Sequence, residues 1–358
     1  MRPIARLTCR IGYALAVALL FELAFRAYLR TQYGEFWFRP SAVVQKRYPA
    51  MNDVLARRIH RDGRAMKVLF LGASTISPKY GDVVERVRAH LRDRGIEANL
   101  INLSDRALTT RDALFQYELL RRETFDAVVL YHGINEVRAN NCPPDVFQSD
   151  YAHYAWYEEI NVAMRHRASL RLTVLPYCMD LLAHRIRQQV RKPRYLSAHQ
   201  PPPEWMAYGA DLKTPPCFRA NLEAILDMAR QRGDQAVLMT FAWYVPANYT
   251  EEAFHYKRLD YGRMEFPIEL WGYPTNVMAG LEAHNDQIRQ LAASHPEVRL
   301  VDMQRLMPSS GRYYDDICHF TRAGCELFAD ALATELADLW LRQHPALGPA
   351  EQRSRPGG

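Results

Sequence analysis

The fold is decided by the stretch VLFLGAS, residues 68–74. Four consecutive apolar residues that end at a small-residue turn predict a short, fully buried strand. The turn that follows is Gly72-Ala73-Ser74. In open α/β sheets the ligands bind at the carboxyl ends of the strands. Ser74 is therefore the first candidate for a functional residue.

Apolar runs of this kind recur along the chain and alternate with amphipathic segments. Continuous apolar strands that alternate with helices predict a parallel sheet covered on both faces, an α/β fold. The predicted strands are 68–71, 98–103, 126–131, 235–242 and 298–303, and the predicted helices are 82–94, 109–122, 218–232, 277–293 and 321–341.

Two segments interrupt the alternation, residues 140–215 and residues 245–276. Both are rich in aromatic residues, and both leave from the carboxyl end of a predicted strand. One interpretation is a lid or substrate-binding loop; the other is an elaboration that packs on the sheet edge. Of the two, the first insertion is the better candidate for a lid.

Composition excludes several classes of protein. The 358 residues are 48% hydrophobic and 24% charged, which is typical of a globular chain. The net charge is +6, and the basic stretches 185–187 and 191–194 carry no nucleic-acid-binding motif. We expect a solvated basic surface and no nucleic-acid partner. The six cysteines form no CxxC pair and no zinc spacing, so we expect no metal, and pairing among Cys142, Cys178 and Cys217 stays open.

The N-terminus has the pattern of a membrane anchor. Residues 11–29 are apolar except for Glu22 and Arg26; three arginines precede them and an aromatic cluster follows. Nineteen residues at a rise of ~1.5 Å span roughly 28 Å, close to a bilayer core. The alternatives are a cleaved signal peptide, for which no small-x-small site is evident, and a buried or amphipathic helix.

These observations predict a membrane protein with a single pass. We expect the N-terminus in the cytoplasm and the remainder in the periplasm or otherwise outside the cytoplasm. The expected organisation is a cytoplasmic tip and anchor (1–30), a connector (31–65), one large domain (66–342) and a flexible tail (343–358).

An ester-cleaving serine needs a base, a group that orients the base, and donors for the developing oxyanion. His319 is a candidate base because it follows the last predicted strand. Asp316, three residues earlier, is the candidate orienting group, and its neighbour Asp315 is the alternative. A second D-x-x-H at 150–153 lies inside the first insertion, away from any strand-to-helix crossover.

The three segments Gly72-Ala73-Ser74, Gly133-x-Asn135 and Asp316-x-x-His319 resemble blocks I, III and V of the SGNH (GDSL-like) hydrolase superfamily. The resemblance covers about residues 66–342 without the insertions. It implies a flavodoxin-like three-layer α/β/α sandwich with five parallel strands. It further implies that Ser74 is the nucleophile, His319 the base and Asp316 its orienter. The oxyanion donors would be the Asn135 side chain and the Ser74 backbone N–H.

The second block departs from the family pattern. Residues 102–110 match the frame N-x-[G/S]-x-x-G-x-T-T, but Ala107 replaces the glycine whose N–H is a further oxyanion donor. A positive φ costs alanine ~1 kcal/mol or more, so the donor is either kept with altered geometry or lost. Ala73 replaces an acidic residue of the family, and Glu136 stands where aspartate is commoner. For Glu136 we expect a loop-holding hydrogen bond.

For three further residues we consider a structural role beside a functional one. His132 either lines the pocket or is a structural histidine, and His284 and Asn285 are expected at the surface or in a cap. The turn at Gly72 is not followed by the GxGxxG pattern of a dinucleotide-binding site or by an acidic residue that would bind the ribose. We therefore expect no cofactor.

The function predicted from these patterns is a membrane-anchored serine esterase. It would remove an acyl group, expected to be O-acetyl, from a carbohydrate or a lipid. The alternatives are an O-acyltransferase that uses the same triad on a cell-envelope glycan, and a non-catalytic glycan-binding factor on the same scaffold.

Overall fold

The computed structural model describes residues 2–34, 43, 46–57, 59–191, 196 and 200–345. Five strands form its sheet: β1 (Met66–Gly72), β2 (Ala98–Asn102), β3 (Ala127–Tyr131), β4 (Gln235–Met239) and β5 (Arg299–Val301). The α-helices are α1 (Arg2–Tyr33), α2 (Met51–Arg57), α3 (Val83–Asp93), α4 (Thr110–Leu119), α5 (Ile134–Arg138), α6 (Ala155–Arg165), α7 (Leu175–Arg191), α8 (Thr214–Arg232), α9 (Glu251–His255), α10 (Pro274–Ser294), α11 (Met303–Leu306) and α12 (Arg322–Gln343). Short 3₁₀ turns lie at Ser74–Ile76, Ser169–Arg171, Pro203–Ala210 and Ile268–Leu270.

The sheet is entirely parallel, with strand order β2-β1-β3-β4-β5. Strands β1 and β3 are buried along their whole length, which explains their continuous apolar sequences. On the two sides of the sheet, α3 packs against α12, and α8 packs against both α4 and α10. The predicted α/β fold with five parallel strands is confirmed.

The strand order creates a switch point between β1 and β3. The chain moves outward to β2 after β1 and then returns to β3 on the other side of β1. Gly72 and Tyr131 are register partners, so β1 and β3 end at the same level. A crevice at such a point is where open α/β sheets bind ligands. Ser74 and Asn135 therefore follow the two strands that flank this crevice.

The chain divides into two compact units. The sheet unit contains residues 53–149 and 196–358, and the N-terminal unit contains residues 1–52 and 150–195. The division cuts through the predicted insertion 140–215, whose central part belongs with α1. The predicted connector contains α2 and the end of α1, while most of the predicted tail, residues 346–358, lies outside the described residues.

Within the N-terminal unit, α1 is long and apolar enough to cross a membrane. The qualifying segment is Arg6–Tyr33, with a mean hydropathy of 1.7 in its most apolar window. None of that window is buried. This agrees with the predicted anchor in length and composition.

Candidate active site

Ser74 lies where β1 ends and a 3₁₀ turn begins. The turn needs Gly72, because a Cβ atom there would lie 2.5 Å from Ile76 Cδ1 and 3.1 Å from the Tyr131 carbonyl oxygen. The turn is also tied to β2, since Asn102 Nδ2 donates to the Ile76 carbonyl at 2.8 Å. Ser74 is consequently held at the crevice, with 7% of its surface exposed.

Ser74, His319 and Asp316 form one hydrogen-bonded chain. Ser74 Oγ lies 3.0 Å from His319 Nε2, and His319 Nδ1 lies 2.8 Å from Asp316 Oδ2. Asp316 also accepts backbone N–H bonds from Cys318 and His319, at 3.0 and 2.9 Å. The structure thus brings together three residues that are 245 positions apart at their extremes.

The hydrogen bonds keep the Asp316 carboxylate ionised. Burial by itself raises the pKa of Asp316, but the charge and hydrogen bond of His319 and the two backbone N–H donors outweigh it, and the pKa is lowered. An ionised carboxylate at Nδ1 fixes the tautomer in which Nε2 accepts a proton from serine, and it stabilises the imidazolium that results.

Two aromatic rings flank the imidazole, and neither was singled out from the sequence. The ring centroids of Tyr80 and Phe266 lie 5.0 and 5.2 Å from that of His319. Tyr80 follows the Ser74 turn and Phe266 belongs to the second insertion. Together they restrict the movement of the ring and shield it from water. The available sequence signal for Tyr80 was an aromatic residue six positions after Ser74; the sequence contained no signal for Phe266.

Asp315 does not contact the imidazole. It bonds the second insertion to the loop that carries Asp316 and His319, which we call the histidine loop. Its carboxylate accepts from the backbone N–H of Arg263 at 3.0 Å and from Arg263 Nε at 2.8 Å. Its carbonyl accepts from the N–H of Met264 at 2.6 Å. Of the two candidate orienters, Asp316 is the one that faces His319.

The loop that follows β2 presents Ala107 in a left-handed conformation, with φ at +59°. Within the part of the chain that the structure describes, no acceptor is found for the backbone N–H of Ala107 or of Ser74. These are two of the donors that the sequence predicted for an oxyanion. The conformation is the one that glycine adopts without steric cost.

Helix α5 holds this loop through two successive side chains. Asn135 Nδ2 donates to the Leu108 carbonyl at 2.9 Å, and the Thr110 N–H donates to Glu136 Oε1. Burial raises the pKa of Glu136 to about 8, against the lowering effect of the Thr110 N–H. Glu136 makes the loop-holding hydrogen bond expected for it.

The amide of Asn135 is oriented by a residue of the second insertion. Trp271 Nε1 donates to Asn135 Oδ1 at 3.3 Å, so the amide nitrogen points away from the indole. Gly133 permits the close approach of β3 to β4 here, because a Cβ atom would lie 2.7 Å from Phe241. The sequence offered no reason to pair a tryptophan at 271 with an asparagine at 135.

The other candidates from the sequence, His132, His284 and Asn285, do not belong to the hydrogen-bonded set Ser74, His319 and Asp316. His132 is fully buried, and burial lowers its pKa to about 3, so the ring is neutral. The surface or capping role expected for His284 and Asn285 is wrong, because both are completely buried. His284 Nε2 lies 2.9 Å from Thr214 Oγ1, and Asn285 bonds both backbone groups of Phe241, at 2.7 and 3.0 Å. These side chains join α10 to α8 and to the end of β4.

The other D-x-x-H belongs to the N-terminal unit. There the Asp150 carboxylate accepts from the N–H of Ala152 at 3.1 Å, and the His153 ring stacks on Tyr154. Asp150 closes a turn at this position.

The structure shows the state of the cysteines and the position of residues of metal-ligating type. All six cysteines are free thiols. In the described residues one group of metal-ligating type is found, Asp316, Cys318 and His319, with ligand atoms within 4.8 Å of one another. Asp316 Oδ1 accepts from the backbone N–H groups of Cys318 and His319, and Asp316 Oδ2 pairs with His319 Nδ1.

No family model matches the chain, and no curated protein matches it. The solved structures similar to it include a GDSL-like lipase from Bacteroides thetaiotaomicron, at 14% identity and a TM-score of 0.43, over 83% of this chain and 98% of that one. An acetyl xylan esterase has 14% identity and a TM-score of 0.40, over 75% and 99%. Axe2, an acetylxylan esterase from Geobacillus stearothermophilus, has 14% identity and a TM-score of 0.40, over 77% and 96%. A GDSL-like protein is thus among the neighbours, the class that the sequence motifs resemble.

Proposed function

We propose that this protein is a serine esterase that works through an acyl-Ser74 intermediate. The observation that carries the proposal is the chain Ser74 Oγ–His319 Nε2–His319 Nδ1–Asp316 Oδ2, with contacts of 3.0 and 2.8 Å. Both distances lie in the range that proton transfer between a nucleophile and its base requires.

In the first half of the reaction, Ser74 Oγ attacks the carbonyl carbon of the ester while His319 Nε2 takes its proton. The tetrahedral intermediate collapses when the C–O bond to the alcohol breaks, and the imidazolium returns the proton to the leaving oxygen. Asp316 stays ionised throughout and stabilises the imidazolium. The acyl group is then bonded to Ser74 Oγ.

In the second half, His319 takes a proton from water, and the hydroxide attacks the acyl carbon. Ser74 leaves and recovers its proton from His319, and a carboxylic acid is released. If a sugar hydroxyl takes the place of water, the same residues perform an acyl transfer.

The oxyanion of each tetrahedral intermediate needs donors aimed at one point. We assign this role to the backbone N–H groups of Ser74 and Ala107 and to an N–H of Asn135. The Asn135 amide nitrogen also donates to the Leu108 carbonyl, which fixes its position. Trp271 sets which end of the amide faces the site.

The proposed acyl group is short, with O-acetyl the first candidate. Ser74 is 7% exposed, and Tyr80 and Phe266 stand beside the imidazole, so little space adjoins the nucleophile. The proposed alcohol is a carbohydrate or a lipid of the cell envelope. We also propose that α1 is an uncleaved anchor that holds the sheet unit outside the cytoplasm.

The kinetic test compares full-length variants in detergent, with an aryl acetate as substrate. We expect Ser74→Ala and His319→Ala to lower kcat by ~10⁴-fold or more, and Asn135→Ala by ~10²- to 10³-fold. Ser77→Ala, in the same turn, and His255→Ala, on the surface, are the matched controls. Undiminished turnover in Ser74→Ala would contradict the proposal. Product analysis with and without an acetyl-accepting oligosaccharide then separates hydrolysis from transfer.

A further inference from the structure

The N-terminal unit contains a second element that faces outward with apolar side chains, the helical hairpin of α6 and α7. Its turn, residues 166–174, contacts α1 inside the apolar stretch of that helix. Glu22 accepts from Thr173 Oγ1 at 2.7 Å and from the N–H of Val174 at 3.0 Å. Arg26 bonds Glu22 at 2.7 Å and the Leu172 carbonyl at 3.4 Å.

These contacts explain why two charged residues interrupt an apolar helix. A carboxylate and a guanidinium in or near a bilayer are costly unless they are paired and hydrogen-bonded. Here they pair with each other, and the hairpin turn supplies the remaining donors and an acceptor. The turn is therefore held at the level of Glu22, seven residues or about 10 Å before the apolar stretch ends at Leu29.

The hairpin also exposes apolar side chains. Leu172, in the turn, is 85% exposed. Met179, Leu182 and Ile186 of α7 are 55%, 45% and 52% exposed. Their spacing of three and four residues places them on one face of the helix. Tyr177 and Cys178, which directly precede Met179, are buried within the protein. An apolar face that lies next to an apolar anchor marks an interaction surface.

The charge of the adjoining sequence indicates what covers this face. Residues 185–194, which contain the end of α7, include five basic residues and no acidic one. A helix with an apolar face and a basic flank is typical of elements that lie in the interface of an anionic membrane.

We propose that the α6–α7 hairpin is a second membrane-contacting element, which inserts Leu172 and the Met179–Leu182–Ile186 face into the interface of an anionic bilayer beside α1. The proposal rests on the proposed anchor. It assigns the central part of the first insertion to the membrane, where a lid was the expectation.

The test measures the lipid contact of single labelled positions in the full-length protein. In a Cys9→Ser background, an environment-sensitive fluorophore is attached to Leu172→Cys, Leu182→Cys, Leu15→Cys or Gln32→Cys. Each protein is placed in nanodiscs of phosphatidylcholine and phosphatidylglycerol, with and without lipids that carry a quencher in the upper acyl chain. Cys9→Ser alone measures any labelling of the five buried thiols.

We expect strong quenching at positions 15, 172 and 182, and severalfold weaker quenching at position 32. Position 32 lies on α1 three residues, or about 4.5 Å, beyond Leu29 and is the reference outside the apolar stretch. Removing phosphatidylglycerol should reduce quenching at 172 and 182 but not at 15.

Quenching at 15 together with reference-level quenching at 172 and 182 would overturn the hairpin proposal and leave the anchor intact. Reference-level quenching at all positions would overturn both. If 172 and 182 resist quenching but crosslink to a protein in native membranes, the face is a protein interface and the lipid proposal is wrong.

Discussion

Ala107 holds a backbone conformation that glycine adopts more easily, at a φ of +59°. We expect Ala107→Gly to raise the free energy of unfolding by up to about 1 kcal/mol, because it removes the clash of Cβ in the left-handed region. The N–H stays in place, so kcat/KM for an aryl acetate should not fall. Thermal unfolding of the full-length protein, with matched kinetics, measures both.

Ala331→Gly is the control for this change. Ala331 lies in α12 and is partly exposed, so the same substitution should lower stability there by about 1 kcal/mol. If Ala107→Gly destabilises the protein as much as the control does, the left-handed conformation at 107 is contradicted.

Glu136 makes stability depend on pH. Its folded pKa of about 8 exceeds the ordinary value of 4.5, so the folded state holds this proton more tightly than the unfolded state. The associated stabilisation is complete below about pH 4.5 and is lost as the pH rises through about 8. In Glu136→Gln, which keeps an acceptor for Thr110, the Tm should fall less between pH 6 and 9.

The surface variant Glu252→Gln serves as the reference for the Glu136 experiment. It removes the same charge from an exposed position and should leave the pH dependence of the Tm unchanged. Identical pH dependence in Glu136→Gln and wild type would show that Glu136 is ionised in the folded protein at neutral pH.

At the residue scale, the sequence predicted the site residues that follow a strand. It missed the site residues that come from the second insertion. Ser74, Asn135 and Asp316 follow from strand positions and short motifs. Trp271 and Phe266 come from an insertion without periodicity, and only the path of the chain shows which residue they contact. His284 was expected at the surface because a polar residue in a helix is usually solvated; here it is buried and its Nε2 pairs with Thr214 Oγ1 inside the core.

At the scale of elements, the second insertion supports the site at two points. Phe266 flanks the imidazole, and Trp271 orients the Asn135 amide. The hydrogen bonds of Arg263 and Met264 to Asp315 fasten the same segment to the histidine loop. This insertion is therefore part of the catalytic support as we propose it, whether or not it also admits substrate.

Trp271→Phe tests the support of the amide. The change keeps a large ring but removes the N–H, and the loss of one oriented hydrogen bond is worth about 1 kcal/mol. We expect kcat to fall about fivefold with little change in KM, because the oxyanion exists in the transition state and not in the bound ester.

Trp243→Phe is the matched control, since no partner for the Trp243 indole N–H is found in the described part of the chain. A similar fall in kcat for both variants would contradict a specific role for Trp271. A rise in KM for Trp271→Phe alone would indicate a substrate contact instead.

At the scale of the whole molecule, the sequence was sufficient to predict the sheet. It was not sufficient to predict the division into two compact units. Each strand contains a short apolar run that marks its position in the sequence, although β5 is three residues long where six were predicted. The first insertion offered no such signal. Its association with α1 depends on the pairing of Glu22 and Arg26 with the hairpin turn, which joins residues about 150 positions apart.

Membrane topology is testable at this scale. In a host with a double envelope, we expect the sheet unit to be protected from added protease in intact cells and digested in spheroplasts, because the proposed anchor places it outside the cytoplasm. A cytoplasmic marker protein is the control for lysis. Protection of the sheet unit in intact spheroplasts would contradict the proposed orientation.

The most direct measurement for the central claim is to map where a serine-directed phosphonate binds. The full-length protein is treated with the reagent, digested, and the modified peptide is identified by mass spectrometry. We predict one adduct, on Ser74, which forms far more slowly in His319→Ala and is absent in Ser74→Ala. An adduct on another residue of the wild type, or labelling of Ser74 at an equal rate in His319→Ala, would contradict the account.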